Sequence, residues 1–379
     1  VALFVDSVRN GENQSDINVN QSVRRRSRRW LGPILLTLST AIVVGVAASP
    51  SPFVLEQPGP VFDTLGVVTV GTAEVPLIDI PKQRTYPTKG SLSMLTVSIA
   101  GNRDNPVSWF EVIPAWFNPS KAVVPVNLIY PVGTSVAQSS QQSKIEMDVS
   151  QQEAIAAALG ELNYSYTSVL TVAGTVPGGP AEKILLANDT IVSVNGEKFT
   201  DVSQLRTAIA ANGVAKPAEV IVQRAGTTRT FSIVPNLSDS TPTVPVLGIL
   251  VSSKYTFPFD IKIQLNNVGG PSAGQMFALG IIDKLTPGSL TGGADVAGTG
   301  TITGSGQIGA IGGIRQKLYG AVASGAKYFL APASNCDEIT GHIPAGLRVI
   351  SVSTLTDSLA ALTGIAAHDT ASLPSCPAG

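Results

Sequence analysis

The chain has 379 residues, with 25 Lys+Arg against 26 Asp+Glu and a formal net charge of −1. That length allows two or three domains with a sizeable core, and the near balance of charge argues against a nucleic-acid binder, which carries a basic face. Two histidines, His342 and His368, and two cysteines, Cys336 and Cys376, exclude a His- or Cys-rich metal site; no cofactor is expected, and any catalytic base should be something other than histidine.

Residues 1–30 read as a disordered cytoplasmic tail, polar at first and closed by Arg24, Arg25, Arg26, Arg28 and Arg29. No charge follows until Glu56, and Leu31–Ala48 is almost wholly apolar. Such a run matches the hydrocarbon thickness of a bilayer, and the arginines place the N-terminus inside. Residues 31–49 are therefore read as one transmembrane helix in the lipid bilayer of the cell membrane, with everything after Ser49 outside the cytoplasm. A cleaved signal peptide ending in Val46-Ala47-Ala48 is the competing reading. In either case Cys336 and Cys376 lie in a compartment that permits a disulfide; the sequence does not show that they meet.

Gln57-Pro58-Gly59-Pro60 punctuates the chain after that segment. Leu65–Val70, Leu92–Ile99 and Ala122–Leu128 read as strands between Gly, Pro and Asn turns. Met147–Leu162 reads as a helix, with Ala154, Ile155, Ala158 and Leu159 on one face. Trp109, Phe110, Trp116 and Phe117 form an aromatic group that fits a core, a substrate-facing patch or a membrane-facing patch equally well.

From residue 165 the texture changes to short strands around PGGPAEKILLANDTIVSVNGEKFTDVSQLRTAI and VIVQRAG, with an Asn195-Gly196 turn. This stretch resembles a bacterial PDZ domain. The resemblance implies capture of an extended peptide by strand addition, although no carboxylate-binding loop is clear in the sequence.

Gly269-Gly270-Pro271-Ser272-Ala273-Gly274 ends a strand and opens an apolar helix, Gln275–Lys284. Ser272 thus lies on a sharp turn, where free backbone N–H groups offer an oxyanion site. Ile311-Gly312-Gly313-Ile314-Arg315-Gln316-Lys317-Leu318 starts a further helix that runs to Ala323 before Gly325, with Lys317 in its first turn beside Leu318, Ala321 and Val322. A lysine held against apolar surface loses proton affinity and can then deprotonate a serine. Taken singly, each has a plainer reading, a Ser cap and a solvated lysine. Gly304-Ser305-Gly306-Gln307-Ile308-Gly309 has the spacing of a dinucleotide loop but lies between short β-like runs, which predicts a hairpin.

GGPSAG followed by AGTGTITGSGQIGAIGGIRQK resembles the proteolytic domain of the Lon family, with Ser272 and Lys317 separated by 45 residues. The apolar segment, QPGP and VGGPSAG bring it closest to membrane-anchored, PDZ-containing Lon-like serine proteases. The resemblance implies Ser272 as nucleophile, Lys317 as general base, Thr299 orienting the Lys317 amine, and backbone N–H groups of Ser272 and Gly269 or Gly270 as oxyanion donors. It also implies an α+β fold in which a PDZ domain, 161–240, is inserted between an N-terminal part, 53–160, and a C-terminal catalytic part, 241–366, of one protease domain, followed by a tail, 367–379. With no GxxxxGK[ST] in the sequence, cleavage of protein or peptide substrates is expected to be ATP-independent. Assembly as a homo-hexamer is implied by the resemblance alone. The other reading is a catalytically silent PDZ scaffold at the membrane; a signal-peptidase-like enzyme shares the chemistry but not the motif order.

Overall fold

In a computed structural model of the chain, the described residues are 24–131, 133–238, 243–265 and 268–377, with side chains from residue 32 onward. The expected tail up to residue 23 and the Ser240-Thr241-Pro242 separator lie outside them. Helix α1 runs Arg24–Ala48. Its Leu35, Leu36, Val43 and Val46 are exposed, so it projects from the body. Among the described residues no helix is long and apolar enough to cross a membrane.

Beyond α1 the chain forms β1 (Phe53–Asp63), β2 (Ser91–Ala100), α2 (Trp109–Trp116), β3 (Ala122–Pro125) and α3 (Val136–Glu161). Next come β4 (Thr167–Thr175), β5 (Thr190–Val194), α4 (Val202–Asn212), β6 (Ala218–Arg224), β7 (Thr227–Ile233) and β8 (Ile249–Thr256). It closes with α5 (Gly274–Leu285), β9 (Asp295–Gly298), α6 (Ile314–Ala323), β10 (Tyr328–Pro332), β11 (Arg348–Val352) and α7 (Leu355–Ala366). The α+β expectation stands in its coarser form, a mixed α/β architecture.

The first sheet has the order β11-β10-β9-β2-β1-β3. Strands β2, β9, β10 and β11 are parallel neighbours, and β1 pairs antiparallel with both β2 and β3. Alternating side chains feed two cores. Leu92, Met94 and Leu330 pack with Leu159 of α3, Phe277 and Ile281 of α5 and Leu362 of α7. On the other face Leu95 and Phe329 pack with Leu318 and Ala321 of α6. Helix α5 is buried from Gly274 to Asp283, which accounts for its nearly unbroken apolar sequence.

The second sheet, β7-β6-β5-β4-β8, is antiparallel throughout and encloses its own core with α4. Strand β8 lies beyond residue 240, outside the segment expected for this unit, because it pairs with β4 from Ile249↔Thr175 to Thr256↔Thr167.

Three more expectations change. Pro58-Gly59-Pro60 does not end β1; the strand bulges between Pro58 and Val61 and continues. A side chain on Gly59 would run into Thr96 Oγ1, and Thr96 Oγ1 donates to the Pro60 carbonyl (2.7 Å), so the bulge is stitched to β2 where proline lacks an N–H. Helix α3 begins eleven residues before the expected Met147, at a capping box in which Ser135 and Gln138 exchange bonds of 2.8 and 3.1 Å. The tail returns to the sheet: Ser351 N–H donates to the Pro374 carbonyl (3.0 Å), and Cys376 is disulfide-bonded to Cys336.

Candidate active site

The GGPSAG loop enters α5 against one face of the first sheet, while α6 covers the other. Their side chains meet past the carboxyl end of β9, where parallel sheets leave a crevice. Gly270 takes φ +84° there, a conformation that favours glycine. Helix α3 backs the loop: Ser150 Oγ donates to the Pro271 carbonyl (2.9 Å), and Gly270 N–H to the Ser143 carbonyl (2.8 Å). A side chain on Gly269 would strike Ser143 Cβ at 2.7 Å.

Lys317 Nζ lies 2.8 Å from Ser272 Oγ and 2.9 Å from Thr299 Oγ1. Thr299 Oγ1 itself donates to the Ser272 carbonyl (2.9 Å). A threonine hydroxyl has one proton; with it committed to that carbonyl, the oxygen can only accept from the lysine. The same carbonyl also receives Gly300 N–H (2.9 Å). Thr299 and Lys317 are 1% and 2% exposed, and Ser272 is half-buried.

Burial strips water from the Lys317 ammonium and pulls its pKa down to about 7, against a smaller opposing pull from the Glu56 carboxylate. Glu56 is itself held above the ordinary carboxylate range by burial, then by repulsion from Glu338.

Ser272 and Lys317 open into a cavity of about 470 Å³, lined also by Pro60, Phe62, Thr96 and Val97. Beside it β2 is paired with β1 on one side, but with β9 only as far as Met94. The backbone from Leu95 to Ser98 therefore presents an open edge to the cavity.

The structure brings Ser272, Lys317, Thr299, Gly269 and Gly270 together. Within that set Gly270 N–H is engaged by Ser143, whereas the N–H groups of Ser272 and Gly269 bond to no acceptor among the described residues. Glu56, Ser143, Ser150 and the β2 edge were not singled out from the sequence. Ser143 and Ser150 carry no local signal. The β-branched run Leu92–Ile99 marked β2 as a strand, and nothing marked its free edge. His342 and His368 are exposed, and 304–309 spans a hairpin whose strands pair Thr301↔Gly309 and Ile302↔Ile308.

A serine hydroxyl facing a desolvated lysine amine, beside an open strand edge, is equipped for acyl transfer. Residues 266–363 match the Lon protease (S16) C-terminal proteolytic domain, and residues 171–224 match a PDZ domain. A Lon protease of Azospirillum brasilense is 40% identical over 93 residues, 24% of this chain and 11% of that protein. One from Campylobacter concisus is 37% identical over 94 residues, again 24% and 11%. The chain thus spans about a tenth of the length of these curated relatives. The PDZ domain of the SdrC-like protein from Listeria innocua aligns with 22% of this chain and 92% of its own, at 23% identity and a TM-score of 0.20. This chain carries a Lon-type proteolytic domain, of a serine peptidase family, together with a PDZ domain.

Proposed function

We propose that the protein is a membrane-anchored, ATP-independent serine endopeptidase in which Ser272 and Lys317 form the catalytic dyad. The observation that carries this reading is the 2.8 Å contact between Lys317 Nζ and Ser272 Oγ, made by a lysine whose pKa is drawn to about 7. With the amine neutral, its lone pair takes the Ser272 proton as Oγ attacks a peptide carbonyl. Thr299 accepts one amine hydrogen and so turns that lone pair toward Ser272. The N–H groups of Ser272 and Gly269 are free to receive the developing oxyanion; Gly270 would have to release Ser143 first. Lys317 then returns the proton to the leaving amine, and water repeats the sequence on the acyl-enzyme.

An extended substrate would add as a strand to the Leu95–Ser98 edge of β2, which leads its carbonyl to Ser272. A second groove, about 520 Å³, lies between α4 and β8 and is lined by Leu205, Ile209, Leu247, Gly248 and Ile249. Strand β8 is the edge of its sheet, so the PDZ unit would capture a peptide there in the same manner. For the domain organisation, support comes from the first sheet, which joins strands of 53–125 to strands of 295–352 around the second sheet.

The anchor rests on the apolar part of α1, with its exposed apolar side chains, and the arginines in the first turns of that helix favour a cytoplasmic N-terminus. The Cys336–Cys376 disulfide supports a body in an oxidising, extracytoplasmic compartment. A hexameric ring follows only from the resemblance and is read by native mass measurement. The central test is digestion of a labelled unfolded protein. Ser272→Ala should reduce cleavage to background and Lys317→Met should lower kcat by roughly 10²–10⁴-fold. A serine-reactive fluorophosphonate that still labels Ser272→Ala would overturn the assignment.

A further inference from the structure

Helix α2 is apolar on both its buried and its exposed sides. Val112 and Ala115 are buried with Leu55 and Val107 in a small core. On the outer side Phe110 (54% exposed), Ile113 (45%), Trp116 (55%) and Phe117 (83%) face solvent. Phe110, Ile113 and Phe117 follow the spacing of one helix face. The one charge in the helix, Glu111, is turned back to accept from Ser108 N–H and Oγ (2.9 and 3.0 Å), so no charged group stands on that face. A patch of this kind on a soluble surface marks a contact.

The chain itself says what the contact is. Immediately after α1, Ser51 N–H donates to the Val107 carbonyl (2.9 Å), Pro50 bridges Ser108, and the end of α1 packs against α2. The apolar patch is therefore fixed at the level where α1 leaves the body, and Val46 of α1, 60% exposed, continues it. We infer that α2 is an interfacial membrane element: its outer face seats in the headgroup and acyl boundary of the bilayer that α1 enters, with Trp116 and Phe117 as the wedge. The inference rests on the reading of α1 as an anchor. It adds that the catalytic body lies against the lipid surface in a fixed orientation and does not swing on a tether.

Both cysteines are in the disulfide, so a thiol introduced by Phe117→Cys is the single labelling site in the full chain. The protein carrying an environment-sensitive dye there is reconstituted at low density into phosphatidylcholine/phosphatidylglycerol vesicles, with the same dye on Lys198→Cys of the PDZ unit as reference. The dye at 117 should shift to the blue and lose roughly half or more of its emission when the acyl chains are brominated, as for a group about 5–10 Å into the boundary. The dye at 198 should do neither. Adding Phe110→Asp and Ile113→Asp should return the first dye to water while the protein still floats with the vesicles.

Flotation with the dye at 117 in water would overturn the inference and leave the anchor standing. A blue-shifted dye that brominated lipid does not quench would also overturn it, because protein would then cover the patch. Failure to float would overturn both readings.

Discussion

Lys317 is where the chemistry and the stability of this protein oppose each other. Its ordinary pKa of 10.5 falls to about 7 through burial. Cleavage should therefore rise about tenfold per pH unit below 7 and level off above it, as the amine loses its proton. Glu56 pulls the value upward, so Glu56→Gln should move that limb of the kcat/KM profile to lower pH; a limb that stays in place would show that the two groups do not communicate. The stability consequence has its own sign. Between about 7 and 10.5 the unfolded chain holds a proton that the folded chain has released, so stability rises with pH across that window and is lost as pH falls toward 7. Lys317→Met, for all its loss of kcat, should be more stable than wild type, by on the order of a few kcal/mol at pH 6 and by less at pH 10. Chemical denaturation at the two pH values reads this directly. Thr299→Val keeps the shape but loses the oxygen that steers the amine; kcat should fall on the order of tenfold to a hundredfold, with Thr299→Ser restoring most of it. In the sequence Ser272 and Lys317 stood out as a turn serine and a helix lysine with plainer readings of their own, and it was the resemblance to Lon-type domains that joined them and added Thr299. Glu56 was not legible there, since its nearness to Lys317 arises only when β1 pairs beside β2.

At the scale of elements, α3 organises the site. It supports the loop that carries Ser272 through Ser143 and Ser150, and farther along it holds Glu153. The Glu153 Oε2 accepts from Tyr255 Oη of β8 (2.9 Å) and from Gly304 N–H of the hairpin. One half-buried carboxylate thus ties the edge strand of the PDZ sheet to α3 and to the hairpin at Gly304. Burial holds Glu153 above the ordinary carboxylate range, and these two bonds pull it back. Tyr255→Phe removes one of them and should cost about 1–3 kcal/mol in urea denaturation; an unchanged midpoint would mean that water replaces the hydroxyl. The sequence showed only the C-terminal half of α3, where alanines and Ile155 form an apolar face. The N-terminal half is polar and exposed over most of its length, so periodicity was silent there, and the Ser135–Gln138 capping box was the available cue. The Pro58–Pro60 bulge misled for the opposite reason: proline usually ends a strand, and here a side chain from the neighbouring strand carries it through.

Over the whole molecule, the first sheet is built from two stretches of chain with the PDZ sheet between them. Two of its strands, at Leu92–Ile99 and Ala122–Leu128, were readable from β-branched runs, but the order of the sheet was not, because pairing over such separations leaves no local pattern. The resemblance to Lon-type domains suggested only that the PDZ unit interrupts one larger domain. The chain's end is closed by the Cys336–Cys376 disulfide, with a separation of 40 residues. Cys336→Ser with Cys376→Ser should lower stability by about 2–4 kcal/mol. Reductant should shift wild type by a similar amount and leave the double variant unmoved; an equal response in both would place the loss elsewhere.

The first and last residues of the PDZ sheet's outer pair are opposite each other, Thr167↔Thr256. Tyr166, Tyr255 and Phe257 cluster at that point with ring centroids 5.6–5.9 Å apart. The chain leaves the unit built on the first sheet and re-enters it through one doorway. To the host, the whole module is therefore a single closed loop, and the entropy of closing a loop grows only slowly with its length. Such a module can lengthen, change its groove or be exchanged for another without re-registering any strand that carries Ser272 or Lys317.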